Sequence, residues 1–154
     1  MRTSVADIYA AGDVAEGIDL ATGKRVVNAI QPTAVEQARV AALNMAGRHV
    51  ASRGHLTLNV LDTLGLISSS FGQWWSEPGG QTAELIDVGE FRYRSLQFRD
   101  DVLVGATSVG LTEHVGALRG LIEGRVRLGP WKDRLLKDPL CIMEAYLARA
   151  QGAA

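Results

Sequence analysis

The stretch Thr3-Ser-Val-Ala-Asp-Ile-Tyr-Ala-Ala-Gly-Asp13 decides how this chain is read. Residues 8–11 form a short apolar run, the pattern of a strand buried on both faces. Gly12 permits close approach of the backbone, and Asp13 puts a carboxylate at the carboxyl end of that strand. In open α/β sheets nucleotide ligands lie along that edge, where a carboxylate can hold sugar hydroxyls by charge-assisted hydrogen bonds. An isolated Gly-Asp is more often simply a turn. The neighbouring sequence has to discriminate.

Twenty residues on, residues 31–47 read Gln-Pro-Thr-Ala-Val-Glu-Gln-Ala-Arg-Val-Ala-Ala-Leu-Asn-Met-Ala-Gly and predict a helix with both ends marked. Pro32 belongs to the first turn, Thr33 is placed to cap, Glu36 lies near the positive end, and Gly47 is placed to stop the helix. Ala34, Ala38, Ala41, Ala42 and Met45 share one face. Such small side chains let a helix lie very close to a sheet or a cofactor. Tight helix–sheet packing alone would also use them.

The string T-S-x-x-D-I-Y-A-A-G-D-V-A resembles the second flavin-contacting motif of the FAD-dependent pyridine nucleotide-disulfide oxidoreductases. The resemblance implies that Gly12 and Asp13 bind cofactor, with Asp13 bonding the ribityl chain of FAD. It also implies that the helix after this motif points its amino end at the N1/C2=O edge of the isoalloxazine ring, through the backbone at Thr33, Ala34 and Val35. Unpaired N–H groups and the helix dipole amount there to roughly half a positive charge, which suits a reduced flavin.

That family binds the FAD pyrophosphate and NAD(P)H through two G-x-G-x-x-G loops, and neither is present. Gly105, Gly110, Gly116, Gly120 and Gly124 cluster late and do not have that spacing. The chain matches only the last part of such a reductase, and Met1-Arg2 reads like the middle of a longer sequence. The expectation is a fragment, residues 1–54 being the C-terminal remnant of an FAD-binding Rossmann-like domain (α/β) and residues 55–154 an α+β C-terminal domain. Alone it is expected to hold FAD weakly and to be inactive. Its first partner would be the missing N-terminal FAD/NAD-binding portion. NAD(P)H would act as co-substrate at a site outside this chain.

Composition narrows the remaining classes. At 154 residues, 47% hydrophobic and 21% charged, the chain is an ordinary globular sequence and not a disordered one. A net charge of -1 creates no overall attraction to nucleic acid or to an anionic membrane. The longest charge-free stretches, 63–76 and 102–112, fall short of the roughly twenty apolar residues that span a bilayer. The single cysteine, Cys141, excludes an internal disulfide and a C-x-x-C pair, and no metal site is read. A cytoplasmic location fits.

Beyond residue 55 the pattern becomes strand-like. Residues 56–61 and 64–71 are apolar runs broken at Asp62-Thr63, and residues 73–82 form a loop around Pro78. Strands follow at 84–88, 91–98 and 102–109, with two-residue turns at Gly89-Glu90 and Asp100-Asp101. These predict an antiparallel sheet of four or five strands with helices. Thr112 is placed to cap a helix through residue 122, in which Gly116 and Gly120 suit close packing on the sheet, and Gly124 is placed to end it. Further helices are expected over 131–137 and 140–149.

Residues 93–110, Y-R-S-L-Q-F-R-D-D-V-L-V-G-A-T-S-V-G, resemble the final domain of NADH-dependent nitrite reductases and rubredoxin reductases. His49, His55 and His114 are not followed by proline, so none matches the acid–base His-Pro of the glutathione-reductase branch. No residue is assigned as proton donor or nucleophile. Trp74-Trp75 could lie over a flavin, although loop packing is the commoner meaning. The basic run 119–137 could attract an acidic electron-acceptor protein, although such runs are usually solvated. Cys141 reads as an inert core thiol. The readings left open are an oxidoreductase fragment, one half of a split reductase, or a non-catalytic dimerisation module forming a homo-oligomer.

Overall fold

The computed structural model describes residues 1–149, and the chain divides into two compact units, Met1–Thr57 and a second beginning at Leu58. In the first unit residues 8–11 do not form a strand. Tyr9 makes one antiparallel bridge to Arg2, and Ile8 is 51% exposed. A strand meant for a doubly covered sheet needs neighbours on both sides, and this unit supplies only the segment near Arg2. Gly12 to Ala15 then form a turn, closed by the Ala15 N–H donating to the Gly12 carbonyl at 2.9 Å.

Strands β1 (Glu16–Ile18) and β2 (Arg25–Val27) pair as a short antiparallel hairpin. Its connection is organised by the buried carboxylate of Asp19, which accepts from the Thr22 hydroxyl at 2.6 Å and the Thr57 hydroxyl at 3.2 Å. Helix α1 (Gln31–Met45) follows, with Pro32 in its first turn as predicted. The cap differs from the reading above. Ile30 occupies the N-cap with extended backbone, while Thr33 is buried and its Oγ1 accepts from Asn28 Nδ2 at 3.0 Å. At the other end Gly47 adopts φ +79° and the Arg48 N–H reaches back to the Leu43 carbonyl at 2.9 Å, so glycine ends the helix as expected.

The face that α1 buries is also different. Thr33, Gln37, Val40 and Ala41 are inside, whereas Ala38, Ala42 and Met45 face solvent. Of the expected stripe, Ala41 is buried and Ala34 half-buried, while Ala38, Ala42 and Met45 lie on the open side, so the buried face is rotated from the expected one.

The second unit contains β3 (Leu58–Thr63), β4 (Leu66–Gly72), β5 (Gln81–Asp87), β6 (Arg92–Arg99) and β7 (Val102–Val109). They form one antiparallel sheet in the order β3-β4-β7-β6-β5, within the expected range of strands. Helices α2 (Val115–Glu123), α3 (Pro130–Lys137) and α4 (Ile142–Arg149) complete it. Among the described residues no helix is long and apolar enough to cross a membrane.

Two turns move from their predicted places. The β3–β4 hairpin turns at Leu64-Gly65, not Asp62-Thr63, because both central residues take positive φ (53° and 86°) and Gly65 accepts that geometry. Its N–H is held by Asp62 Oδ1 at 2.8 Å. The β5–β6 link is a four-residue loop, 88–91, because Asp87 pairs with Arg92 and Phe91 takes φ 52°. Asp100-Asp101 is the expected two-residue turn. Its Asp101 Oδ1 accepts the Gly129 N–H at 2.8 Å, just before α3 begins.

The core is a row across four strands, Phe71, Ala106, Leu96 and Ala83, in register and all buried. The row beside it on the opposite face, Ser70, Thr107 and Ser95, is polar. Helix α2 packs on β4 and β7 and contributes Leu118, Leu121 and Ile122, each worth about 1.5–3 kcal/mol on full burial. A Cβ on Gly105 would stand 1.7 Å from the Gln73 carbonyl oxygen, so only glycine allows that backbone crossing. Buried Arg94 donates from Nε to Ser108 Oγ at 3.2 Å and from Nη2 to the Leu111 and Glu113 carbonyls, tying the sheet to the approach of α2.

Three details correct the sequence reading. Thr112 does not cap α2; His114 does, in the left-handed region at φ 62°. Gly120 packs against the Tyr146 ring of α4 rather than the sheet, and Gly116 has open space beside it. Cys141 is half-buried, not a core thiol. Its Sγ donates to Asp138 Oδ2 at 3.2 Å, and this neighbour, followed by burial, pushes the thiol pKa up and keeps it protonated.

Candidate functional site

The first unit brings Gly12 and the start of α1 together. Gly12 takes φ +82°, and a Cβ there would stand 3.6 Å from Ala34 Cβ. The Gly12 N–H donates to Gln37 Oε1 at 2.8 Å. Asp13 takes the second position of the turn that follows and is exposed. Its carboxylate has no ion-pair partner among the described residues. A free anionic acceptor thus stands one residue from a backbone seated on the first turns of a helix.

The donors at that helix end are fewer than the three residues named from sequence. The Ala34 N–H already closes the first helical bond, to the Ile30 carbonyl at 3.1 Å. Val35 is next in the ladder, and its side chain is exposed. Pro32 has no N–H. Helix geometry leaves Gln31 and Thr33 with unspent N–H groups in the first turn. The Thr33 side chain is committed to Asn28, so only its backbone is available.

Sequence reasoning missed two residues beneath this site. Gln37 is fully buried, and its Nε2 has no hydrogen-bond partner. His55 Nε2 is likewise buried and unpartnered. Both face Gly17: a Cβ there would lie 2.9 Å from His55 Nε2 and 3.1 Å from Gln37 Nε2. Burial pushes the His55 pKa down, against a weaker pull from Glu36, so the ring is neutral at neutral pH. No local sequence signal marks either residue, because Gln37 bonds a backbone N–H 25 residues earlier.

These residues fit one end of a flavin nucleotide and not the other. A ribityl chain needs an acceptor such as Asp13, and an electron-rich ring edge needs N–H donors such as those of Gln31 and Thr33. No glycine loop for a pyrophosphate exists in the sequence.

The remaining candidates lie in the second unit. Trp74 and Trp75 stack edge to face, with ring centroids 5.4 Å apart, and both are exposed. In the basic run, Arg119 pairs with Glu123, Arg134 stacks over Trp131, and Lys132 donates to the Asp100 carbonyl. Three of its six cations therefore have local partners.

No family model matches the chain. Over 145 residues it is 31% identical to the NADH-dependent phenylglyoxylate dehydrogenase subunit epsilon of Aromatoleum evansii, an alignment covering 92% of this chain and 34% of that protein. The putidaredoxin reductase–putidaredoxin complex matches with a TM-score of 0.77 at 19% identity, over 96% of this chain and 34% of that one. A FAD-dependent pyridine nucleotide-disulphide oxidoreductase from Desulfovibrio vulgaris matches with a TM-score of 0.70 at 18% identity, over 96% and 39%. The chain spans about a third of the length of these proteins. Its relatives and structural neighbours are FAD-dependent pyridine nucleotide-disulfide oxidoreductases, and it corresponds to a C-terminal part of them.

Proposed function

We propose that this chain is the C-terminal portion of a flavoprotein oxidoreductase that passes hydride from NAD(P)H to FAD and electrons on to an acceptor. The observation that carries this reading is the Gly12–Asp13 turn seated against the amino-terminal turns of α1. FAD, when bound, supplies the redox chemistry, and the protein supplies placement and electrostatics. Asp13 accepts hydrogen bonds from ribityl hydroxyls. Gly12 supplies the left-handed backbone, φ +82°, that starts the turn. The backbone N–H of Thr33, joined by that of Gln31, and the positive end of α1 stabilise negative charge at the N1/C2=O edge. Ala34 serves by its small side chain, which faces Gly12. Val35 serves by its exposed side chain, which, like those of Val5, Ile8, Val14 and Met45 in the same unit, is open to the N-terminal FAD/NAD-binding portion.

The acceptor in this reading is a protein. The Aromatoleum relative is named as a subunit, and one structural neighbour is a complex with putidaredoxin. The place of action is the cytoplasm, in keeping with a single, unpaired cysteine.

One observation favours a second reading, an assembly module. In the second unit Leu66, Ile86, Val88, Phe91, Tyr93 and Val109 line an apolar hollow of about 250 Å³. If this face joins two copies, the Phe91→Asp variant sediments as a monomer and the parent chain as a dimer.

The test of the main reading is a titration of FAD fluorescence with the chain and with its Asp13→Ala variant. Weak, saturable quenching that the variant loses by about tenfold is expected. Quenching that is absent, or equal in both proteins, overturns the reading.

A further inference from the structure

Gln37 is fully buried on the inner face of α1, and its amide is only half used. A primary amide offers an acceptor oxygen and two donor hydrogens. The oxygen takes the Gly12 N–H at 2.8 Å, while Nε2 finds no partner. A buried, unsatisfied donor is destabilising, and a side chain present only for packing would be better replaced by leucine or methionine. The single bond to Gly12 is therefore what the amide contributes.

That bond has a defined target. Gly12 lies in left-handed backbone at φ +82°, with Ala34 beneath its Cα. Ala34 and Gln37 are three residues apart and share a helical face, so one supports Gly12 by contact and the other by hydrogen bond. The Gly12 carbonyl, in turn, closes the turn that carries Asp13.

We propose that Gln37 is the positioning residue of the flavin-facing turn: by holding the Gly12 N–H it fixes Asp13 against the amino end of α1. The carboxylate and the free N–H groups of Gln31 and Thr33 then address one ligand. The role in flavin binding rests on the functional reading above; the anchoring of Gly12 does not. His55 is not part of the anchor, because its unpartnered Nε2 faces the other end of the amide, beside Gly17.

The experiment uses the whole chain with Gln37→Leu and Gln37→Glu, the second keeping an acceptor oxygen for Gly12. Amide hydrogen exchange is measured at Gly12 and, as an internal reference, at Val40 in the same helix. In Gln37→Leu the Gly12 amide is expected to exchange at least about tenfold faster while Val40 changes less than about twofold, and Gln37→Glu restores slow exchange at Gly12. Fluorescence titration with FAD is expected to show the same order, with Gln37→Leu weakened about fivefold or more and Gln37→Glu near the parent. Unchanged Gly12 exchange in a folded Gln37→Leu protein overturns the proposal. So does equal acceleration at Gly12 and Val40, which would mean general loosening. A parent chain that ignores FAD while Gly12 exchange still follows Gln37 defeats the flavin reading and upholds the anchor. Equal FAD binding by parent and Gln37→Leu defeats the positioning role alone.

Discussion

Both units leave apolar side chains in water, but the second also encloses a core of large ones, and the first encloses very few. Leu96, Leu118, Leu121, Leu128, Leu135 and Ile142 are essentially inaccessible in the second unit, whereas in the first only two large aliphatic side chains, Val40 and Leu56, are buried. Val14, Val35 and Met45 of the first unit are each more than half exposed. Both units obey the same chemistry, so the difference lies in how many partners each element has. A five-stranded sheet with three helices encloses a core on one face while leaving residues such as Ile86, Val88 and Phe91 exposed. A two-stranded hairpin beside one helix has fewer elements with which to enclose a core.

The largest expected effect follows directly. Leu96→Ala, at the centre of the sheet, should cost about 2–5 kcal/mol of unfolding free energy, and Val40→Ala less than half of that, both read from urea unfolding. Equal losses would mean that the first unit is as tightly completed as the second.

A smaller effect separates the units by pH. Because the folded His55 pKa is lowered from 6.5, the unfolded state binds more protons on acidification. Stability contributed by neutral His55 is therefore present above pH 6.5 and lost as the pH falls from there toward the folded value. Exchange protection in the first unit should decline over that window, and in a His55→Gln variant it should not.

The smallest effect concerns exposed ion pairs, one in each unit: Glu36–Arg39 on α1 and Arg119–Glu123 on α2. Removing either, as in Arg39→Gln or Arg119→Gln, should leave the urea unfolding midpoint nearly unchanged. A larger loss for Arg39→Gln would mean that α1 depends on its own side-chain pairs rather than on burial.

The sequence was most readable where local rules and tertiary packing agree. Pro32 and Gly47 marked α1 because fixed φ at its start and positive φ at its end are local requirements. Alternation revealed β6, since its neighbours on both sides lie in the same chain. Reading failed where partners decide. Residues 8–11 carry the pattern of a strand but have too few neighbours here, and Ala38, Ala42 and Met45 of α1 are exposed for the same reason. The Leu64-Gly65 turn was obscured by apolar Leu64, an unusual residue for positive φ. At the candidate site, Gly12 and Asp13 were legible as a motif. Gln37 was not, because nothing local shows a glutamine turning inward to a backbone N–H 25 residues earlier.

The most direct test is a titration of the isotope-labelled chain with FAD, followed at the backbone amides of Asp13, Gln31 and Thr33. If one ligand is gripped by the turn and the helix tip together, all three resonances move with a single apparent affinity. Movement of only one group, different affinities for Asp13 and Thr33, or changes confined to residues beyond Leu58 would contradict the account.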